Sequence, residues 1–324
     1  MARADLIVSL VKFGLNNDSV NFKKIAEEIT TEERAKQHTI LANTLEELIR
    51  EANQRPLDDS LSSMSSFNVE NLIYEVKPKR RLDDLILSKN IRDVCEEFIE
   101  EQNRVAILRA HNLEPRNKLL LIGEPGNGKT SLAGALAESL MLPLYCVRYD
   151  GIIGSYLGET ASRLRKVIDF VRTRRCILFL DEFETLGKER GDSQETGEIK
   201  RVVSSLLLQI DELPSHVIVI GATNHQELLD RAVWRRFQIR LHLNPPNKEQ
   251  IAEWFRAFER RSNVPLEVSP EKLADELKGS SYSDVEEFGT TILRRYVLSL
   301  PDAKMTSIVE DVLKYWKSRS ASTA

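Results

Sequence analysis

The chain has few cysteines, no marked excess of charge and no long apolar run. Its three cysteines, Cys95, Cys146 and Cys176, are widely spaced and odd in number, which excludes a disulfide framework and a metal-ligand cluster and favours core thiols. Basic and acidic side chains number 46 and 50, so we do not expect nucleic acid as an obligatory partner. No stretch approaches the roughly 20 apolar residues of a membrane span, and no secretory signal is evident. We therefore expect a cytoplasmic protein without a membrane partner.

The 324 residues divide by pattern into four parts. Residues 1–51 carry apolar positions at helical spacing and predict a helical region that docks a partner or substrate, or that dimerises. Residues 52–81 are polar and serine-rich, end in the basic run "KPKRR", and predict a linker. Residues 82–246 predict an α/β domain, and residues 247–324 predict a small domain made of helices.

Short apolar runs in the α/β part predict the strands of a parallel sheet. The runs are continuously apolar rather than alternating, which is typical of strands buried on both faces. Helical stretches between them supply the crossover connections. The predicted runs are 118–123, 144–150, 176–182, 217–224 and 239–243.

The stretch "GEPGNGKT" follows the first of these runs and fits the pattern G-x-x-x-x-G-K-[ST]. Glycines let backbone N–H groups converge on phosphate oxygens, and the start of the next helix adds partial positive charge. The lysine can reach the β- and γ-phosphates, and the threonine hydroxyl can ligate Mg²⁺. The predicted ATP-binding residues are Gly123, Glu124, Pro125, Gly126, Asn127, Gly128, Lys129, Thr130 and Ser131.

Two acids end the apolar run "CILFLDE". At the carboxyl edge of such a sheet, Asp181 is placed to hold Mg²⁺ together with Thr130. Glu182 is placed to position and deprotonate the attacking water as a general base. The sequence therefore predicts an ATP- and Mg²⁺-dependent hydrolase.

From about residue 82 to 300 the chain resembles an AAA-type ATPase of the extended, substrate-remodelling group. The phosphate loop corresponds to that family's Walker A motif and "ILFLDE" to its Walker B motif. "GATNHQELLDRAVWRRF" resembles its second region of homology, which implies that Asn224 is a sensor and that Arg235 and Arg236 act as arginine fingers on a neighbouring subunit's ATP. The resemblance implies a P-loop NTPase sheet of the AAA+ type with a helical C-terminal lid.

The lid motif departs from the family pattern. "GSSYSDVEEF" matches at Gly279, Ser281 and Asp284, but Tyr282 stands in the place of the usual glycine and puts the approach of this backbone to ATP in question. The stretch "LDDLI" (82–86) matches the place where the family's adenine pocket begins.

"GIIGSYLGET" resembles the family's first pore loop, with Tyr156, Leu157 and Gly158 as the substrate-gripping residues. The charged stretch 187–198 lies where the family has a second pore loop. The resemblance implies a homo-oligomer, taken as a hexamer, that remodels or unfolds a protein substrate, by analogy for a separate protease or effector.

Two alternatives stay open. One is a switch or scaffold whose ATP-dependent assembly gates a partner protein without threading it, in which Tyr156 is dispensable. The other is a loader or translocase on nucleic acid, which the acidic net charge and the tyrosine loop argue against.

Overall fold

The computed structural model describes residues 71–152, 157–182, 205–229 and 231–321, together with isolated positions before residue 70. The chain divides into two compact units, residues 1–67 and 68–324. In the first unit, the described positions 28–32 are helical and the Ile29 side chain is buried. The second unit contains every strand given below.

A six-stranded, mostly parallel sheet forms the centre of the second unit. The strands are β1 (Ile73–Val76), β2 (Lys118–Ile122), β3 (Leu144–Val147), β4 (Cys176–Leu180), β5 (Val217–Thr223) and β6 (Ile239–His242). Their order across the sheet is β1-β3-β4-β5-β2-β6, and each neighbouring pair except β1–β3 is parallel. The predicted α/β fold class is confirmed.

β1 was not predicted, because no apolar run marks it. It lies within 52–81, the predicted linker, and pairs antiparallel with β3, with Ile73 opposite Val147. Tyr74 and Glu75 are exposed and only one of its four residues is buried, as expected for an edge strand. The sheet therefore begins at Ile73, before residue 82.

Helices connect and follow the strands. They are α1 (Lys89–Asn103), α2 (Val105–Ala110), α3 (Lys129–Leu140), α4 (Tyr149–Ile152), α5 (Leu157–Arg172), α6 (Arg231–Arg236), α7 (Lys248–Ser262), α8 (Pro270–Glu276), α9 (Tyr282–Leu298) and α10 (Met305–Ala321). Residues 205–211 are also helical. None of the helices within the described residues is both long and apolar enough to cross a membrane.

The sheet is buried on both faces, which explains its continuously apolar strands. Leu119 and Leu121 of β2 pack in one core with α3, whereas Leu120 and Ile122 pack in a second core with α5. Successive side chains of a strand point to opposite faces, so every position must be apolar.

Helices α7 to α10 form a lid around their own aromatic core. Trp254 stacks on Phe258, and Phe288 packs edge-on against Phe255 and Trp316. A Cβ at Gly289 would lie 2.8 Å from the Trp254 ring, so α9 needs glycine there to approach α7. The region after residue 247 is helical, in keeping with its sequence pattern.

Candidate functional site

The glycine-rich loop lies between β2 and α3, at the carboxyl edge of the sheet. The Gly123 N–H donates to the carbonyl oxygen of Thr223 at 3.2 Å, which joins the loop to the end of β5. A Cβ at Gly123 would lie 2.2 Å from the Leu243 carbonyl oxygen, so a side chain does not fit. Gly128 has φ +86° and caps α3. The loop thus places backbone amides at the positively polarised start of a helix, a site suited to anions.

Lys129 is the first residue of α3 and its side chain is mostly buried, with the residue 7% exposed. Its Nζ donates to the carbonyl oxygens of Gly123 and Glu124, at 2.6 and 2.9 Å. The ammonium group therefore lies against the backbone of the loop that precedes α3. A cation held there offers its charge to any phosphate that the loop binds.

The residues predicted to bind the metal lie close together although they are far apart in the sequence. The Thr130 hydroxyl donates to Asp181 Oδ2 at 3.0 Å, and the Glu182 N–H donates to Asp181 Oδ1 at 3.0 Å. Glu182 is exposed and has φ +48°, a left-handed conformation that is uncommon for a non-glycine residue. The predicted hydroxyl, carboxylate and general base are therefore brought together at the end of β4.

The two predicted arginine fingers have different surroundings. Arg236 Nε donates to Asp211 Oδ2 at 2.7 Å, whereas Arg235 is exposed and forms no ion pair with a described residue. Asn224, the predicted sensor, is half-buried immediately after β5. Asp211 was missed by sequence reasoning, because nothing in the sequence indicates an ion pair between residues 25 positions apart.

The predicted pore loop is only partly described. Tyr156 lies outside the described residues, as does the charged stretch 187–198. The backbone of Leu157 and Gly158 forms the start of α5. Their role in gripping a substrate stays a prediction.

Two cavities lie between the phosphate loop and the lid, of about 310 and 80 Å³. They share four lining residues, Ile86, Leu87, Asn127 and Tyr282. Ser131 lines the smaller cavity, and Asn247 and Gln250 line the larger one. The shared walls are mostly apolar, and the phosphate loop forms one side.

The Tyr282 hydroxyl forms a hydrogen bond with the backbone of the stretch before α1. The phenol O–H donates to the Ile86 carbonyl oxygen at 2.7 Å. Burial raises the pKa of Tyr282 well above its usual range, so the phenol remains a donor at physiological pH. The residue that departs from the family pattern thereby joins the lid to the predicted adenine-pocket stretch 82–86.

The lid also contacts the phosphate loop directly. The Ser283 N–H donates to the Gly126 carbonyl oxygen at 3.0 Å, and a Cβ at Gly126 would lie 2.7 Å from Ser281 Oγ. Arg80, in the "KPKRR" run, forms an ion pair with Glu286 of α9. Sequence reasoning assigned no function to that run, whose pairing with the lid is visible only in three dimensions.

Comparison with known proteins agrees with this geometry. Residues 119–245 match the family described as "ATPase family associated with various cellular activities (AAA)". An uncharacterized AAA family ATPase, y4kL of Sinorhizobium fredii, is 35% identical over 304 residues, which cover 92% of this chain and 90% of that protein. This chain belongs to the AAA family of ATPases. We conclude that this AAA ATPase binds ATP and hydrolyses it.

Other relatives of this AAA ATPase are named for more specific roles. A putative 26S proteasome regulatory subunit homolog of Methanothermobacter thermautotrophicus is 27% identical over 248 residues, 74% of this chain and 65% of that protein. A cell division cycle protein 48 homolog of Archaeoglobus fulgidus is 32% identical over 185 residues, 56% of this chain and 25% of that protein. The chain therefore spans only part of the length of these two relatives.

Proposed function

We propose that this AAA ATPase assembles into a homo-oligomeric ring, taken as a hexamer, and uses ATP hydrolysis to remodel or unfold protein substrates. The observation that carries the proposal is the exposed Arg235 at the end of α6, a guanidinium with no ion-pair partner among the described residues. Relatives named as a proteasome regulatory subunit homolog and a cell division cycle protein 48 homolog support protein substrates.

Mg²⁺ fits the oxygen pair of Thr130 and Asp181. Mg²⁺ prefers hard oxygen ligands and is usually held by one or two carboxylates together with substrate phosphates, and these residues supply a hydroxyl and a carboxylate 3.0 Å apart. When bound, the ion would supply positive charge that neutralises the phosphates. These two residues would hold it on the protein side.

The remaining steps of hydrolysis are assigned to residues of the chain itself. The loop amides and Lys129 bind the phosphates, and Glu182 accepts a proton from the attacking water. Asn224, at the end of β5, orients that water or the γ-phosphate. Arg235 and Arg236 of a neighbouring subunit stabilise the charge that spreads over the equatorial oxygens in the transition state.

Tyr156, Leu157 and Gly158 would grip an extended polypeptide in the ring's channel. An aromatic ring on a glycine-flanked loop makes apolar contacts without reading a particular sequence. The test compares Tyr156→Ala with Tyr156→Phe for ATPase activity with and without an unfolded protein substrate. Substrate should stimulate the wild type and Tyr156→Phe but not Tyr156→Ala, while basal rates stay similar. Equal stimulation of all three would favour the switch or scaffold instead, in which a partner is gated without threading.

A further inference from the structure

Asn127 is a buried polar residue of the phosphate loop. That loop binds phosphates through its backbone, which does not explain a polar side chain at this position. The residue is 3% exposed, and neither its Oδ1 nor its Nδ2 has a hydrogen-bond partner among the residues that the structure describes. Leaving buried amide atoms unpaired is unfavourable, and native structures contain few such groups. An unpaired amide beside a ligand cavity therefore points to a ligand group that pairs with it.

The location of Asn127 limits what that group is. Asn127, Ile86, Leu87 and Tyr282 line both cavities between the loop and the lid. Of the polar groups shared by the two cavities, the Tyr282 hydroxyl already donates to the Ile86 carbonyl oxygen. The apolar side chains of Ile86 and Leu87 beside a phosphate loop suit the base of a bound nucleotide. Other polar side chains line one cavity or the other, among them Ser131, Asn244 and Gln250, but Asn127 is the amide side chain common to both.

The chemistry of the amide selects one kind of base. An asparagine presents an acceptor and a donor side by side, which match the 6-amino group and N7 of adenine. Guanine and hypoxanthine present two acceptors there, O6 and N7, so one of the two hydrogen bonds is lost. Ser131, whose hydroxyl can donate or accept, does not discriminate between these bases.

We propose that Asn127 is the base-reading residue of this ATPase and selects adenine over 6-oxopurines by pairing with the 6-amino group and N7. The backbone amides and Lys129 bind phosphates that all nucleoside triphosphates share, so discrimination has to occur elsewhere. The proposal concerns ATP binding and depends neither on a ring nor on a pore.

The test measures dissociation constants by calorimetry on the full chain carrying Glu182→Gln, which should slow hydrolysis. The probes are ATP, inosine triphosphate, 7-deaza-ATP and inorganic tripolyphosphate. With Asn127 present, ATP should bind roughly 5- to 150-fold more tightly than inosine triphosphate, the discrimination expected of a bidentate amide contact. 7-deaza-ATP, which lacks only the N7 acceptor, should bind more weakly than ATP.

Two variants of Asn127 separate base reading from support of the loop. Asn127→Leu should bind ATP and inosine triphosphate equally and tripolyphosphate as before. Asn127→Asp keeps the side-chain shape but loses the donor, so its preference should reverse to 7-deaza-ATP over ATP. The proposal is overturned if the asparagine form binds ATP and its two analogues equally, or if folded variants keep the discrimination. Parallel weakening of ATP and tripolyphosphate would also overturn it, because Asn127 would then act on the phosphate loop. If Asn127→Leu does not fold, the isosteric Asn127→Asp decides.

Discussion

The Thr130 hydroxyl donates to the Asp181 carboxylate at 3.0 Å, across a sequence separation of 51 residues. Thr130 is the second residue of the helix after β2, and Asp181 follows β4, which is separated from β2 by β5. The parallel arrangement brings the carboxyl ends of these strands to one edge, so the side chains meet there. This pair of oxygens is the structural basis of the proposed Mg²⁺ site.

Removing the Thr130 hydroxyl or the negative charge of Asp181 should weaken the response to Mg²⁺. We expect Thr130→Val and Asp181→Asn each to raise the Mg²⁺ concentration for half-maximal ATPase activity by about tenfold or more, on the scale of altered metal sites. Thr130→Ser retains the hydroxyl and should behave like the wild type. The measurement is a Mg²⁺ titration at saturating ATP. A normal titration for Thr130→Val would contradict the assignment of that hydroxyl.

Replacing Arg236 and replacing Arg235 should have different effects on the free energy of unfolding. Arg236 pairs with Asp211, and their side chains are 24% and 38% exposed, so Arg236→Ala should lower the free energy of unfolding by about 0–1 kcal/mol. Arg235→Ala should leave it unchanged, because Arg235 forms no ion pair with a described residue. Urea titrations at low protein concentration test this.

Both substitutions should reduce ATPase activity in the assembled state, by as much as about a thousandfold if each acts as an arginine finger. Activity is measured against protein concentration. Arg240→Ala, at an exposed position of β6, is the control for loss of a nearby positive charge. Wild-type activity of Arg236→Ala under assembling conditions would contradict its action on a neighbour. Asp211 would then be its structural reason.

Buried thiols should make the protein less stable at high pH. Burial raises the pKa of Cys95 and of Cys176 to about 12, whereas thiols of an unfolded chain ionise near pH 8.5. As pH rises above that value, the unfolded state loses protons first, so stability is complete below it and falls toward pH 12. Each thiol contributes up to about 1.4 kcal/mol per pH unit.

Urea unfolding between pH 7.5 and about 9 checks this below the range in which tyrosines ionise appreciably. Cys95→Ala and Cys176→Ala should each flatten the decline, and the double variant should flatten it most. Replacing a buried thiol by alanine also lowers the free energy of unfolding by an amount that does not depend on pH. That constant difference is the baseline against which the slopes are compared. Equal slopes for all four proteins would show that the thiols do not titrate as expected from their burial.

Most strands of the sheet could be predicted from the sequence because their apolar pattern is local. Residues 119–122 and 176–180 are apolar throughout, as strands with two buried faces require. The glycine pattern of the phosphate loop is local as well. β1 could not be predicted, because an edge strand of four residues with one buried side chain has no such pattern. The ion pairs of Asp211 and Arg80 could not be predicted for a different reason. In each pair the partner is distant in the sequence and is brought near only by the fold. Tyr282 was noticed as a departure, but its bond to Ile86 was not predictable.

The central claim is that ATP binding assembles the chain into a ring in which neighbours complete each other's sites. The most direct measurement is the solution mass of Glu182→Gln with and without Mg·ATP, because this variant should retain ATP without cleaving it. The account predicts a shift to about six subunits when ATP is bound, a closed symmetry being the usual outcome of such contacts. A monomeric mass with ATP demonstrably bound would contradict it, because Arg235, Arg236 and Tyr156 would then lack the neighbours that their proposed roles require.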